Sequence, residues 1–204
     1  MSHEQPGLPE GVYYGIAIAL RQSFREVRTV YEVGCGTFRL TKHLCGVFSS
    51  VGGCDPSTYP GREGLKSPYR ENEVEEHPGV ESLSRFDHCG IEAVQAAPRS
   101  YDLLLSWQAL EHLRETSLSR AVKVMGAMAE IWQVLSICLA PPESPERFDP
   151  THALLRSRAW WLDRFAETGW VLDGKREKVL LAAGNWQWNP ELFVLRRHRD
   201  WAIR

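Results

Sequence analysis

The chain is short of lysine: Lys42, Lys66, Lys123, Lys175 and Lys178 are the only five among 24 basic residues, which face 26 acidic ones. A formal charge of -2 and a pI near 6.4 supply no field that would gather a polyanion, so nucleic acid is not an expected partner. No stretch reaches the roughly 18 apolar residues that a membrane-spanning helix needs, and none near the N-terminus has signal-peptide form. No membrane association is expected, and the predicted location is cytoplasmic. Cys35, Cys45, Cys54, Cys89 and Cys138 are odd in number and contain no C-x-x-C pair, which points away from a disulfide framework and towards reduced core or pocket thiols. Asp87, His88 and Cys89 are consecutive, and consecutive residues rarely converge on one tetrahedral ion, so no metal site is expected. Repeats and low-complexity tracts are missing too.

What is present is an apolar content of 43% over 204 residues, enough for one α/β domain with a full core and too little for two. The pattern predicts a helix over 12–27, strands at 29–33 and 50–55 with a helix over 38–48 between them, and a buried strand at 103–107. A helix over 121–131, a strand at 134–139 and a helix over 157–168 stopped by Gly169 follow. The chain then predicts two closing strands near 178–182 and 192–196. Residues 59–79, with prolines at 60, 68 and 78 and four glutamates at 71, 73, 75 and 76, read as a long loop, either a substrate lid or an irregular insertion. The expected architecture is a doubly wound, mostly parallel seven-stranded sheet with helices on both faces, whose ligands lie at the carboxyl ends of the strands.

The most informative segment is 30–57. An apolar run ends in Glu32, Gly34 and Gly36 follow, and a second apolar run ends in Asp55. Glycines there let the backbone turn and approach a ligand, and an acid ending the next strand can accept the hydroxyls of a ribose. The sequence Gly34-Cys35-Gly36-Thr37-Phe38 does not complete G-x-G-x-x-G, so a pyrophosphate is poorly supported. Glu-Val-Gly-Cys-Gly-Thr at 32–37 resembles motif I of the class I S-adenosylmethionine-dependent methyltransferases. Further matches follow in order at Asp55-Pro56-Ser57 and at Tyr101 to Ser106 running into Leu110-Glu111-His112-Leu113. The resemblance is clear over 30–113 and weak over 130–197. It departs at Phe38, where the family has a third glycine, and at Cys89-Gly90-Ile91-Glu92, a loose version of the acidic motif after the third strand.

The resemblance implies S-adenosyl-L-methionine as cofactor. Asp55, beside Pro56, would take the ribose and Glu32 would organise the aminoacyl end; Gly34, Cys35 and Gly36 would offer backbone. Ile91 and Glu92 would border the adenine, and Ser106 and Trp107 the methionine part. Methyl transfer is an in-line displacement, so the protein mainly aligns the acceptor and, where that is a hydroxyl, removes its proton. Imidazole suits that task. His112 follows the fourth strand, next to a Glu111 expected to point away from it on a helix, and His152 follows Asp149, which could fix its tautomer; a structural role remains open for both. Asp-x-x-His before an aromatic-rich helix looks like a segment bordering the acceptor pocket in small-molecule enzymes of this class. The predicted activity is methylation of a small molecule, at a hydroxyl of a sugar-like or aromatic metabolite, by a possible homodimer. A non-catalytic cofactor-binding or scaffold protein and a macromolecule methyltransferase are the alternatives.

Overall fold

A computed structural model describes residues 10–36, 38–56, 83–139, 151–183 and 191–198. Seven strands form one sheet in the order β3-β2-β1-β4-β5-β7-β6, where β1 is Thr29–Val33, β2 Ser50–Cys54, β3 Arg85–Asp87, β4 Tyr101–Trp107, β5 Ala129–Ser136, β6 Trp170–Leu172 and β7 Leu192–Arg197. The first five pair in parallel and only β7 runs against its neighbours, β5 and β6. The order reverses direction between β1 and β4, the switch point at which such sheets open a ligand crevice.

Alternating strand residues feed two cores. Tyr31, Val33, Leu104 and Leu135 face one side with Met125, Trp161 and Phe165, from helices α3 (Glu115–Met128) and α4 (Arg158–Ala166). Val30, Leu103, Leu105 and Val134 face the other with Ile16, Leu20, Leu44 and Leu180, from α1 (Glu10–Ser23), α2 (Thr41–Val47) and α5 (Gly174–Ala183). Both faces are covered, which is why the central strands are almost continuously apolar.

Three sequence expectations need correcting. The strand expected near 178–182 is helix α5, because Asp173 accepts the amide of Arg176 through Oδ1 at 3.0 Å and so caps a helix start. The last edge is therefore β6, and a helix separates it from β7. The seam between α3 and β5 falls at Met128–Ala129, earlier than expected: Ala129 is already extended (ψ 131°), and β5 pairs from there with Tyr101. Helix α2 begins at Thr41, three residues after Phe38. By contrast, α4 has the expected stop, with Gly169 at φ +82°, and Ser157 caps its start by accepting the Trp160 amide at 3.3 Å. The loop 59–79 lies outside the described residues.

Candidate functional site

The carboxyl ends of β1, β2 and β4 lie level, with Val33 in register with both Cys54 and Ser106. Beyond them the chain turns through Gly34 at φ +79° and Gly36 at φ +51°. A side chain at Gly34 would bring its Cβ to 2.3 Å from that of Ala109, so the loop after β1 touches the loop after β4. A Cβ at Gly36 would meet nothing within 4 Å, as a backbone cradle for a ligand requires. The amides of Gly34 and Cys35 donate to the Cys54 carbonyl at 2.8 and 3.2 Å, and the Gly36 amide donates to Asp55 Oδ2 at 2.8 Å. Asp55 is buried yet exposes its neighbour Pro56, and it anchors the glycine loop while standing at the end of β2.

Glu32 is buried, and Thr41 at the first turn of α2 donates a 2.6 Å hydrogen bond to its Oε2. Burial pushes its carboxyl up to about 8, against the opposing Thr41 bond and with some help from the Asp55 charge. Cys35 and Cys54 are also pushed up by burial, Cys54 to about 12, so both remain protonated thiols and neither is an activated nucleophile. Ser106 is buried and donates to the Val33 carbonyl at 3.2 Å, locking the ends of β1 and β4 together. Trp107 is half-buried against the α1 face of the sheet.

Phe38, where the resembled motif has glycine, keeps the glycine-like backbone at φ +61°. Its ring is buried against Phe86, with centroids 5.3 Å apart, so the substitution changes packing and leaves the turn in place. On the other flank Ile91 is buried in a short 3-10 turn, Ile91–Ala93, with Cys54 and Leu110 in the same core. The Glu92 carboxylate folds back over Gly90.

After β4, Gln108 is at φ +51°, with its amide on the Ser136 carbonyl and its side-chain nitrogen on Ser136 Oγ, both at 2.9 Å. The strained turn hands the chain to a 3-10 turn, Leu110–His112, that precedes α3. This places Glu111 and His112 outside the helix start where sequence put them. Glu111 turns inward, accepting the Cys138 amide at 3.1 Å through Oε1, and its carbonyl accepts from Leu154 at 2.9 Å. The 151–154 segment is thereby pinned to the β4 loop. The rings of His112 and His152 meet edge to face with centroids 4.7 Å apart. Thr151 reaches His112 Nδ1 with both its Oγ1 at 2.9 Å and its carbonyl at 3.3 Å. Asp149 lies outside the described residues.

Sequence reasoning missed Thr41 and Thr151 as partners. It also misplaced the Glu111 carboxylate: one oxygen comes within 4.8 Å of a ring nitrogen of each histidine. No local pattern signals the first two, since both contacts depend on tertiary placement.

A family model for the methyltransferase domain matches residues 31–136, more than half of the chain, and the protein belongs to that family. It is a class I S-adenosylmethionine-dependent methyltransferase, with S-adenosylmethionine as cofactor. No curated protein matches its sequence. Its fold is similar to Burkholderia thailandensis 1,6-didemethyltoxoflavin-N1-methyltransferase with bound 1,6-didemethyltoxoflavin and S-adenosylhomocysteine: TM-score 0.61, 14% identity, 93% of this chain and 79% of that one. It is similar also to Synechocystis magnesium protoporphyrin IX methyltransferase with bound S-adenosylhomocysteine, at TM-score 0.59 and 14% identity over 92% and 83% of the two chains. A third similarity is to a chain in the complex of the Haloferax volcanii Trm112 methyltransferase activator with a methyltransferase, at TM-score 0.61 and 11% identity over 92% and 91%. Among the described residues no helix is long and apolar enough to cross a membrane.

Proposed function

We propose that the protein methylates a hydroxyl of a small sugar-like or aromatic metabolite. The observation that carries the reading is the placement of the His112–His152 pair: the Ala109 that stands against Gly34 of the cofactor loop leads within three residues to His112. Donor and proton acceptor therefore share one mouth. The cofactor supplies an electrophilic methyl group on a positively charged sulfur. Asp55 would accept the ribose hydroxyls, Glu32 would border the aminoacyl end, and Gly34 to Gly36 would line it with backbone.

The remaining work is to align an acceptor oxygen and hold its proton. His152, half-buried and edge to face with His112, is the favoured base. A small acceptor is favoured by the absence of a net basic charge, and the named relatives from Burkholderia and Synechocystis carry small-molecule substrates in their names. Calorimetry with S-adenosylhomocysteine, then a screen for its release across acceptor classes, tests the reading. His152→Ala should lower turnover by about 10²–10⁴ while leaving S-adenosylhomocysteine affinity unchanged. A wild-type chain that binds no S-adenosylhomocysteine sinks the whole reading. Near-normal turnover in both His152→Ala and His112→Ala sinks histidine base catalysis and turns the choice to an amine or thiol acceptor.

A further inference from the structure

We infer that Glu111, His112 and His152 form a binding site for one divalent transition-metal ion of the zinc type at the acceptor mouth. A carboxylate oxygen and one nitrogen from each imidazole all lie within 4.8 Å of one another. Ligands of a tetrahedral ion at roughly 2.0–2.1 Å stand about 3.3 Å apart, so closure needs each atom to move inward by about an ångström. The three residues are built to allow it. Glu111 is the fixed member, buried with its Oε1 on the Cys138 amide, while His112 is exposed and His152 half-buried, so small side-chain rotations of the rings bring them in. The two loops that carry them are already joined by the Leu154 to Glu111 backbone bond.

The chemistry of the set is selective. Two imidazoles and a carboxylate make three protein ligands with an open fourth position, the pattern of catalytic rather than structural zinc. Imidazole donors suit zinc, copper, iron or nickel and are poor for magnesium, which demands oxygen. The Thr151 carbonyl at His112 Nδ1 is the kind of outer partner that fixes the tautomer of a ligating imidazole, leaving Nε2 for the ion. The site stands on this geometry alone. Its role rests on the functional reading above, which it deepens: the ion's charge would lower the pKa of an acceptor hydroxyl at the open position, whose proton would pass to solvent water in place of a bare imidazole.

The test is Zn²⁺ binding by the full chain without a polyhistidine tag, measured in competition with a chromogenic chelator. We expect one ion per chain. His112→Ala and His152→Ala should each weaken it by more than about 100-fold, beyond the at most roughly 10–100-fold expected for Thr151→Val, which removes only the hydroxyl at His112 Nδ1 and keeps the carbonyl there. The visible spectrum of the Co²⁺ form should show nitrogen and oxygen ligation with no thiolate charge-transfer band. Absence of Zn²⁺ binding, binding that survives both histidine changes, or a thiolate band would each overturn the inference. S-adenosylhomocysteine calorimetry on the same proteins keeps the two readings apart. A chain that binds S-adenosylhomocysteine and turns over but takes up no Zn²⁺ loses this site and keeps its methyltransferase function.

Discussion

The two ends of the one sheet solve opposite problems. At the carboxyl ends of β1 and β4 the backbone takes positive φ at Gly34, Gly36, Phe38 and Gln108, a buried acid sits at Glu32, and a glycine edge faces open space at Gly36. At the amino ends the polar groups are paired within the protein. Asp102 Oδ2 accepts the amides of Arg28 and Thr29 at 2.7 and 2.9 Å, and Thr29 Oγ1 accepts the Asp102 amide at 2.8 Å. Arg197 donates to the carbonyls of Gly126, Ala129 and Glu130 and lies 4.8 Å over the Trp170 ring; Arg176 stacks on Trp132 and donates to the Ser23 carbonyl. This lower end also has an open basin of about 980 Å³ lined by Arg99, Arg176, Arg196 and Arg197. A large basin in which Arg176 and Arg197 are spent on carbonyls and rings and Arg196 on Asp173 is architecture. The mouth at the carboxyl ends, with four positive-φ residues against Arg99 and Gly169 at the lower end and with a buried acid at Glu32, is where ligand energy is needed to offset strain.

The comparison predicts that changes to the ligand-facing groups of the upper end act on ligands, and changes at the lower end on stability alone. The largest ligand effect falls on Asp55→Ala. It removes the acceptor of the ribose hydroxyls, charge-assisted bonds worth roughly 1.5–3 kcal/mol each before water compensates, and releases the Gly36 amide as well. S-adenosylhomocysteine affinity should drop at least tenfold by calorimetry (about 1.4 kcal/mol or more). Unchanged affinity in a folded variant would show that the ribose lies elsewhere.

Phe38→Gly sets two effects at one residue against each other. Restoring glycine relieves a left-handed backbone, worth roughly 1–2 kcal/mol, but deletes a buried aromatic side chain, which costs about 3–5 kcal/mol when truncated to alanine. Packing wins. The variant should lose about 2–3 kcal/mol in denaturant unfolding and keep its cofactor affinity, because the ring faces Phe86. A stabilised variant would mean that strain at this turn outweighs the core.

How far these contrasts were legible in sequence differs by residue. Glu32, the glycines and Asp55 stand out because the turn they make is local and excludes other residue types. The Glu111 carboxylate was misread because its direction depends on a 3-10 turn in place of a helix and on the Cys138 amide across the sheet end. Helix α5 was misread because Val179 to Ala183 is a short apolar run that fits either period, and the decision lies with the Asp173 cap. The α3–β5 seam was invisible for a similar reason. Apolar residues continue through Met128 and Ala129, and the nearby Gly126 lies inside α3 instead of at the change.

Glu32 gives a pH signature that the lower end should lack. Its folded carboxyl is raised to about 8 by burial, above its ordinary 4.5, so the folded state holds a proton that the unfolded chain releases between those values. Stability from this group is therefore fully present below pH 4.5 and is lost as pH rises towards 8, by up to about 1.4 kcal/mol per pH unit. Glu32→Gln retains an acceptor for Thr41 without the titration. Its thermal midpoint relative to wild type should rise with pH across that window, by up to about 3–5 °C per unit for a chain of this size. A difference that is flat with pH would place the Glu32 carboxyl at an ordinary value.

Asp102→Ala should give the smallest effect and the sharpest contrast. The residue sits at the amino end of β4 and ties it to β1 through two amides and the Thr29 hydroxyl, a full sheet length from Gly34. Because Arg28 is exposed and water can replace part of what is lost, the cost should be about 1–2 kcal/mol. That corresponds to a fall of roughly 2–8 °C in thermal midpoint. S-adenosylhomocysteine affinity should be unchanged, because β1 remains paired with β2 from Thr29 to Val33 and the glycine turn is held independently by Cys54 and Asp55. If affinity instead falls in proportion to stability, the two ends are mechanically coupled through β1 and β4, and the division of labour drawn here between them fails.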